Sequence, residues 1–259
     1  MLEVEIVRVD VAAGKAEKKT DYVAEEKPLH LFLNRTQYVT IFCSPSNLKE
    51  LAIGHVISEG IIKSVEEIER ISLKGEVCKI YLKDNVDIEK RLRFSQRFSR
   101  VILSACGSMS PFLPQPHLAR IRSDLWVKAE TILEAIHNLN SIAETYKKTG
   151  GVHAAAIFKG DGTLAAFAED VGRHNAVDKV IGIAIMHRTD LGNCFLALTG
   201  RLTGDIVMKS ARVNLPIVTS IAAAIDSGIA IAKSVDLTLV GFARGRRMNV
   251  YTCAKRIQL

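Results

Sequence analysis

From Asp124 onward, short apolar runs alternate with stretches of helical period, and this alternation constrains the fold more than any other feature of the chain. Ala129, Ile132, Leu133, Ile136, Leu139, Ala143 and Tyr146 recur at helical spacing and predict one helix that Gly150-Gly151 stops. Val152–Phe158 and Leu164–Phe167 predict a hairpin turning at Gly160-Asp161-Gly162. Three strand–helix steps follow: a helix from His174 to about His187; strand Phe195–Thr199 with helix Gly204–Val213; and strand Ile217–Ile221 with helix Ala223–Val235. Strands Leu237–Phe242 and Met248–Cys253 close the pattern. Strands that alternate with helices bury an apolar sheet under helices on both faces, so the expectation is a three-layer α/β domain with a largely parallel sheet.

The first hundred residues read differently, as short strands around one helix. Val4–Val9 alternates, and Leu29–Leu33 and Tyr38–Phe42 flank Asn34-Arg35-Thr36 as a hairpin. Leu48, Leu51, Ala52 and Val56 form the apolar face of a helix ended by Gly60, with Asn47 and Glu50 spaced for a capping box. A second hairpin, Ile68–Leu73 with Val77–Leu82, turns at Lys74-Gly75-Glu76. Val101–Leu103 reads as a buried strand entering a proline-bearing loop, Ser104–Ser123, of a length that compact domains usually reserve for function. The division expected is therefore 1–103 as a smaller α+β domain, 104–123 as a mobile loop and 124–259 as the α/β domain.

With 259 residues and 48% hydrophobic content the chain can bury a real core. No apolar run approaches the ~20 residues that span a bilayer, and Glu3, Glu5 and Asp10 are wrong for a signal peptide, so a soluble cytoplasmic protein is expected, with no membrane partner. Five cysteines without a C-x-x-C pair fit neither a disulfide scaffold nor a cysteine-rich zinc site. A net charge of +7 favours anionic partners, yet no nucleic-acid motif accompanies it, and nucleic acid is not an expected partner.

Ligands of α/β sheets bind beyond the carboxyl ends of the strands, where helix N-termini leave N–H groups unpaired. Three such ends are rich in glycine and arginine: Asp170–Asn175, Gly200–Asp205 and Gly241–Arg247. Together on one sheet edge they would suit an anionic ligand. His174, at a helix start, is more often a cap or a packed polar group than a catalyst, and Asp178 and Lys179 could face either the site or water. Cys78 and Cys194 read as core, and Cys43 and Cys253 are undecided. Cys106 leaves a buried strand for a loop of small residues beside Gly107, where a thiol can be exposed and can move; an inert buried thiol is the competing reading.

Four motifs, Gly151-Val-His-Ala-Ala155, Glu169-Asp-Val-Gly-Arg-His-Asn-Ala-Val-Asp-Lys179, Gly200-Arg-Leu-Thr-Gly204 and Gly241-Phe-Ala-Arg-Gly245, resemble those of the formate dehydrogenase accessory sulfurtransferases (FdhD type). The resemblance implies a cytidine deaminase-like three-layer C-terminal domain behind the smaller N-terminal one. It implies a sulfurtransferase that takes persulfide sulfur from a cysteine desulfurase and passes it to a molybdenum (or tungsten) bis-pterin guanine dinucleotide for formate dehydrogenase. A homodimer is expected. Cys106 matches the persulfide cysteine, and Phe242, Ala243, Arg244, Gly245, Arg246 and Arg247 match the cofactor-binding stretch, with Arg173, His174 and Arg201 as further candidates on the same edge.

Family members often carry Cys-Gly-x-Cys in this loop, whereas this chain reads Cys106-Gly-Ser-Met109. A relay between two loop thiols is thereby in doubt, although one thiolate suffices for attack and onward transfer. The alternative is a cofactor-binding chaperone that transfers no sulfur. Zinc deaminases place His-x-Glu and Pro-Cys-x-x-Cys at two adjacent helix starts. Here those starts are His174-Asn175-Ala176 and Gly200–Asp205, without the glutamate or the cysteines, so no zinc is expected.

Overall fold

The computed structural model describes residues 1–87, 91 and 118–259; the expected strand Val101–Leu103, Cys106 and most of the loop around it lie outside the described residues. In chain order the strands and α-helices are β1 (Leu2–Asp10), β2 (Lys15–Val23), β3 (Lys27–Leu33), β4 (Thr36–Cys43), α1 (Leu48–Ser58), β5 (Ile68–Lys74), β6 (Val77–Leu82), β7 (Val127–Lys128), α2 (Ala129–Ile142), α3 (Glu144–Thr149), β8 (His153–Lys159), β9 (Leu164–Asp170), α4 (Arg173–Met186), β10 (Cys194–Leu198), α5 (Gly204–Arg212), β11 (Ile217–Ser220), α6 (Asp226–Ser234), β12 (Thr238–Arg244), β13 (Arg247–Thr252) and β14 (Ile257–Gln258).

The central sheet has six strands in the order β13-β12-β11-β10-β8-β9. Its pairing corrects the expectation of a largely parallel sheet: β10–β11 and β11–β12 are parallel, whereas β8–β9, β8–β10 and β12–β13 are antiparallel. The physical cause is connection length. The steps that carry α4, α5 and α6 each return the chain parallel, and the one through α4 crosses β8, so β10 runs with β9 and against β8. The tight turns after β8 and β12 make β9 and β13 antiparallel to their neighbours.

Helices cover both faces, giving the three layers expected. On one face Ile132, Ile136 and Leu139 of α2 pack over Phe158, Phe195 and Val240 of the sheet. On the other, Val177 and Ile181 of α4, Ile206 and Val207 of α5 and Ile231 of α6 meet Leu196, Val218 and Leu239. The helix predicted from Ala129 to Tyr146 is broken at Ala143, whose backbone leaves the helical region (ψ 75°), and α6 starts at Asp226 rather than Ala223.

A second core lies under the four-stranded sheet β4-β3-β6-β5, where Leu29, Leu31, Cys78 and Ile80 pack against Leu51, Ile53 and Val56 of α1. The expected capping box is not formed: Asn47 has φ 53° and makes no side-chain cap bond. Strand β2 has no apolar alternation, Lys15–Val23 being mostly charged, and it exists as the pairing partner of β1 in a separate ribbon.

Helices α1 and α4 join the two cores with their backbones in contact. A Cβ on Gly54 would run into the Asp178 carbonyl, and one on Gly182 into the Glu50 carbonyl. Here only glycine allows the approach.

Candidate functional site

The strand directions bring the ends of β9, β10, β11 and β12, and the start of the reversed β8, to one edge of the sheet. That edge holds the three expected segments. A chain of hydrogen bonds ties the ends together: Ser220 Oγ donates to Gly200 O (2.6 Å), Ala222 N donates to Ser220 Oγ (2.9 Å), and Phe242 N donates to Ala222 O (2.9 Å). The loops after β10 and β11 are further joined through Leu202 N to Ala223 O (3.0 Å) and Ile225 N to Leu202 O (3.0 Å). Backbone polar groups and the Ser220 hydroxyl are thus spent on fixing the edge.

Arg173 opens α4 and lies across Gly200, where an added Cβ would come within 3.0 Å of the Arg173 Cβ. Arg201 follows at once and is exposed. At the next strand end, Phe242 holds a left-handed backbone (φ 52°) inside a register break between Gly241 and Arg244. The Arg244 guanidinium sits 5.6 Å from the centre of the Phe242 ring, a cation–π distance. Gly245 (φ 61°) turns the hairpin, Arg244, Gly245, Arg246 and Arg247 are exposed, and Ala243 is buried beneath them.

His174 takes a different direction from Arg173. It is buried, with Nε2 3.8 Å from Asp205 Oδ2 and no hydrogen bond. Burial, reinforced by Lys209 and Arg173, pushes its pKa down to about 3, so the ring is neutral. Asp205 beside it is pushed up to about 6 by burial and by Glu59.

Asp178 and Lys179, which sequence left between site and water, face neither. Lys179 Nζ binds Asp170 Oδ2 at 2.7 Å and donates to the carbonyls of Ser44 (3.0 Å) and Glu169 (3.2 Å). Asp170 also accepts from Ser44 N (3.0 Å), Gly172 N (2.8 Å) and Asn175 Nδ2 (2.9 Å). Asp178 accepts from Lys209 Nζ (2.9 Å to each oxygen) and Ser58 Oγ (2.6 Å) and pairs with His55 Nδ1 (3.0 Å). Lys209 also reaches Glu59 at 2.6 Å. The Glu169–Lys179 motif is therefore divided: Arg173 serves the edge, while Asp170, Asn175, Asp178 and Lys179 bolt it to β4, α1 and α5.

Sequence reasoning missed one group at the edge. His153, at the start of β8, is half-buried with Nδ1 3.3 Å from Thr199 Oγ1, at the end of β10. Thr199 is followed by Gly200, which lies under the Arg173 side chain, and then by Arg201; burial, then these two arginines, lower the His153 pKa against the opposing pull of Asp170. The available signal was its position in Gly151–Ala155, a motif to which no chemistry had been attached.

Among the described residues no three His, Cys, Asp or Glu side chains are grouped as a metal site, and no helix is long and apolar enough to cross a membrane. The four described cysteines are free: Cys43, Cys78 and Cys194 are buried and Cys253 partly so. Burial pushes their thiols up, Cys43 to about 12 and Cys78 and Cys194 to about 11. Cys253 is raised by burial and by its bond to Asp236 Oδ1 (3.0 Å).

The fold and this edge together define a mixed α/β protein whose arginines and helix starts gather at one rim of the sheet. Comparison with known proteins makes the class specific: the FdhD/NarQ family model matches residues 24–258, and the chain belongs to that family. The sulfur carrier protein FdhD of Sulfolobus acidocaldarius is 37% identical over 254 residues, covering 96% of each chain. That of Bacillus licheniformis is 32% identical over 248 residues, 95% of this chain and 93% of the relative. A solved structure of a formate dehydrogenase accessory protein from Desulfotalea psychrophila superposes with a TM-score of 0.80 at 27% identity over 99% of both chains.

Proposed function

We propose that this chain is a sulfur carrier serving a formate dehydrogenase. It takes sulfane sulfur from the persulfide of a cysteine desulfurase onto Cys106 and passes it to a molybdenum or tungsten bis-pterin guanine dinucleotide. The observation that carries the reading is the state of the other cysteines. Thiols held at about 11 or 12, and the Cys253 thiol that burial and Asp236 also raise, are protonated at neutral pH and poor nucleophiles, which favours Cys106 for the role. In the loading step the Cys106 thiolate attacks the terminal sulfur of the donor persulfide, the donor S–S bond breaks, and the donor cysteine leaves as thiolate. No net redox change occurs. Met109 in place of a second loop cysteine makes this a one-thiol carrier.

The basic edge supports the cofactor half of the reading. Arg244, Arg246 and Arg247 would hold pyrophosphate, Phe242 would meet guanine, and Arg173 and Arg201 would face further phosphate oxygens; His174 would contribute from beneath. The cytidine deaminase-like arrangement, the homodimer and a cytoplasmic setting complete the proposal. GDP is expected to bind as a surrogate for half of the cofactor tail. The double variant Arg244→Ala/Arg246→Ala loses two charge-assisted contacts, each worth roughly 1.5–3 kcal/mol, and its affinity is expected to fall at least tenfold. Calorimetry that finds no GDP binding, or equal binding by the variant, refutes this placement.

Elemental analysis of the purified protein is expected to show no stoichiometric zinc. The two helix starts supply only His174 and Asp205 in each other's vicinity, 3.8 Å apart, short of the three or four ligands a protein zinc site needs. One tightly held zinc per chain would reopen hydrolytic chemistry.

A further inference from the structure

We propose that His153 is a third cationic anchor of the basic edge, taking up one proton from solvent when a phosphate- or sulfate-like dianion binds beside Arg173 and Arg201. The inference rests on the anion-binding reading of that edge and adds to it a residue and a proton.

The hydrogen bonding around His153 accommodates both protonation states. Thr199 Oγ1 accepts from Ala154 N (3.1 Å), lies 3.3 Å from His153 Nδ1 and lies 3.5 Å from Ala154 O. With a neutral ring, the Thr199 hydroxyl donates to Nδ1, and Nε2 carries the ring proton. On protonation a bond forms between Nδ1 and the incoming proton, Nδ1 becomes the donor to Thr199 Oγ1, and the hydroxyl proton turns to Ala154 O. No acceptor is stranded in either state. Among the described residues nothing bonds Nε2, so its N–H remains for a ligand oxygen.

The charges around the ring set the direction. Arg173 from α4 and Arg201 from the loop after β10 oppose a third positive charge. Asp170, the cross-strand partner of His153 on β9, favours it, but that carboxylate is shared with Lys179, Ser44 N, Gly172 N and Asn175. A bound dianion reverses the balance. It neutralises the two arginines and adds negative charge, so the protonated ring becomes the favoured form. By linkage the ligand must then bind more tightly where His153 is already protonated.

Inorganic sulfate is the probe, because it stays fully ionised between pH 5 and 8, whereas a phosphate itself titrates near 6. The readout is the ring resonance of His153 in an NMR pH titration, assigned by its loss in His153→Gln. Reading the ring directly separates His153 from Asp205, whose carboxyl burial pushes up to about 6. In the free protein His153 is expected to titrate below the ordinary histidine range. Saturating sulfate is expected to raise its pKa by about one unit, matched by roughly tenfold tighter sulfate binding at pH 5 than at pH 8. In His153→Gln most of that pH dependence is expected to vanish while binding at pH 8 persists. Sulfate that binds without moving the His153 titration overturns the inference and leaves the anion site standing. Absence of sulfate binding at any pH overturns both.

Discussion

Cys106→Ser protein is expected to load no persulfide from a cysteine desulfurase and to leave formate dehydrogenase at background activity, while still binding GDP. Serine differs by one atom, but its oxygen cannot hold a sulfane sulfur, and its hydroxyl is not ionised at neutral pH. The four control substitutions follow from where the other thiols sit. Cys43, Cys78 and Cys194 are buried with pKa values raised to about 12, 11 and 11. Cys253 donates a hydrogen bond to Asp236 Oδ1, which together with burial keeps its thiol protonated. Serine at these positions is expected to change activation by less than about twofold per folded molecule, although the buried ones will cost stability by placing a hydroxyl in an apolar site. Persulfide-selective labelling and dehydrogenase activation are the two measurements. Wild-type activation by Cys106→Ser ends the carrier reading and leaves the cofactor chaperone in its place.

The second large effect concerns stability. Among the described residues Lys209 is the one cation bonded to both Asp178 and Glu59, and all three side chains are nearly or fully buried. Burial disfavours the Asp178 charge, but Lys209 and His55 win, holding its carboxyl well below the usual range. Burial likewise opposes the Lys209 charge, and the two carboxylates outweigh it, raising its pKa. Lys209→Ala would leave two buried carboxylates without their shared partner, a loss of about 3–5 kcal/mol and about 10 °C in Tm for a chain of this size. Thermal unfolding measures it, and a loss below about 1 kcal/mol would mean that the network contributes little. The pH dependence has a definite sign. Because the folded Asp178 pKa is depressed, its contribution is present above the unfolded aspartate value near 3.9 and drains away as pH falls toward the folded one. The raised Lys209 contributes below about 10.4 and is lost only at higher pH.

Much of the C-terminal architecture was legible because Val152–Phe158, Phe195–Leu198 and Ile217–Ser220 are apolar enough to identify themselves as buried strands. Their pairing directions were less legible. Alternation of strands and helices speaks of layers, whereas the antiparallel flanks were announced only by the turns at Gly160–Gly162 and Gly245. Strand β2 gave no pattern because the two-stranded ribbon buries little on either face, so no periodic burial was imposed on Lys15–Val23. At the site, arginine and glycine at strand ends were visible in one dimension. The opposite fates of Arg173 and His174 were not, since adjacent positions at a helix start point some 100° apart and only packing decides which one turns outward. Lys209 was invisible for a related reason: its partners Asp178, Ser58 and Glu59 lie up to 151 residues away in sequence.

The contact between α1 and α4 has a meaning for how such a chain can change over generations. Where Gly54 and Gly182 let two backbones touch, no side-chain volume stands between the halves to absorb a shift. A repacking of the N-terminal core that tilts α1 by even a fraction of an ångström is carried directly into α4, and α4 begins with Arg173. The two halves are therefore one unit of inheritance: sequence drift under the four-stranded sheet is filtered by what the far rim of the other sheet must still hold.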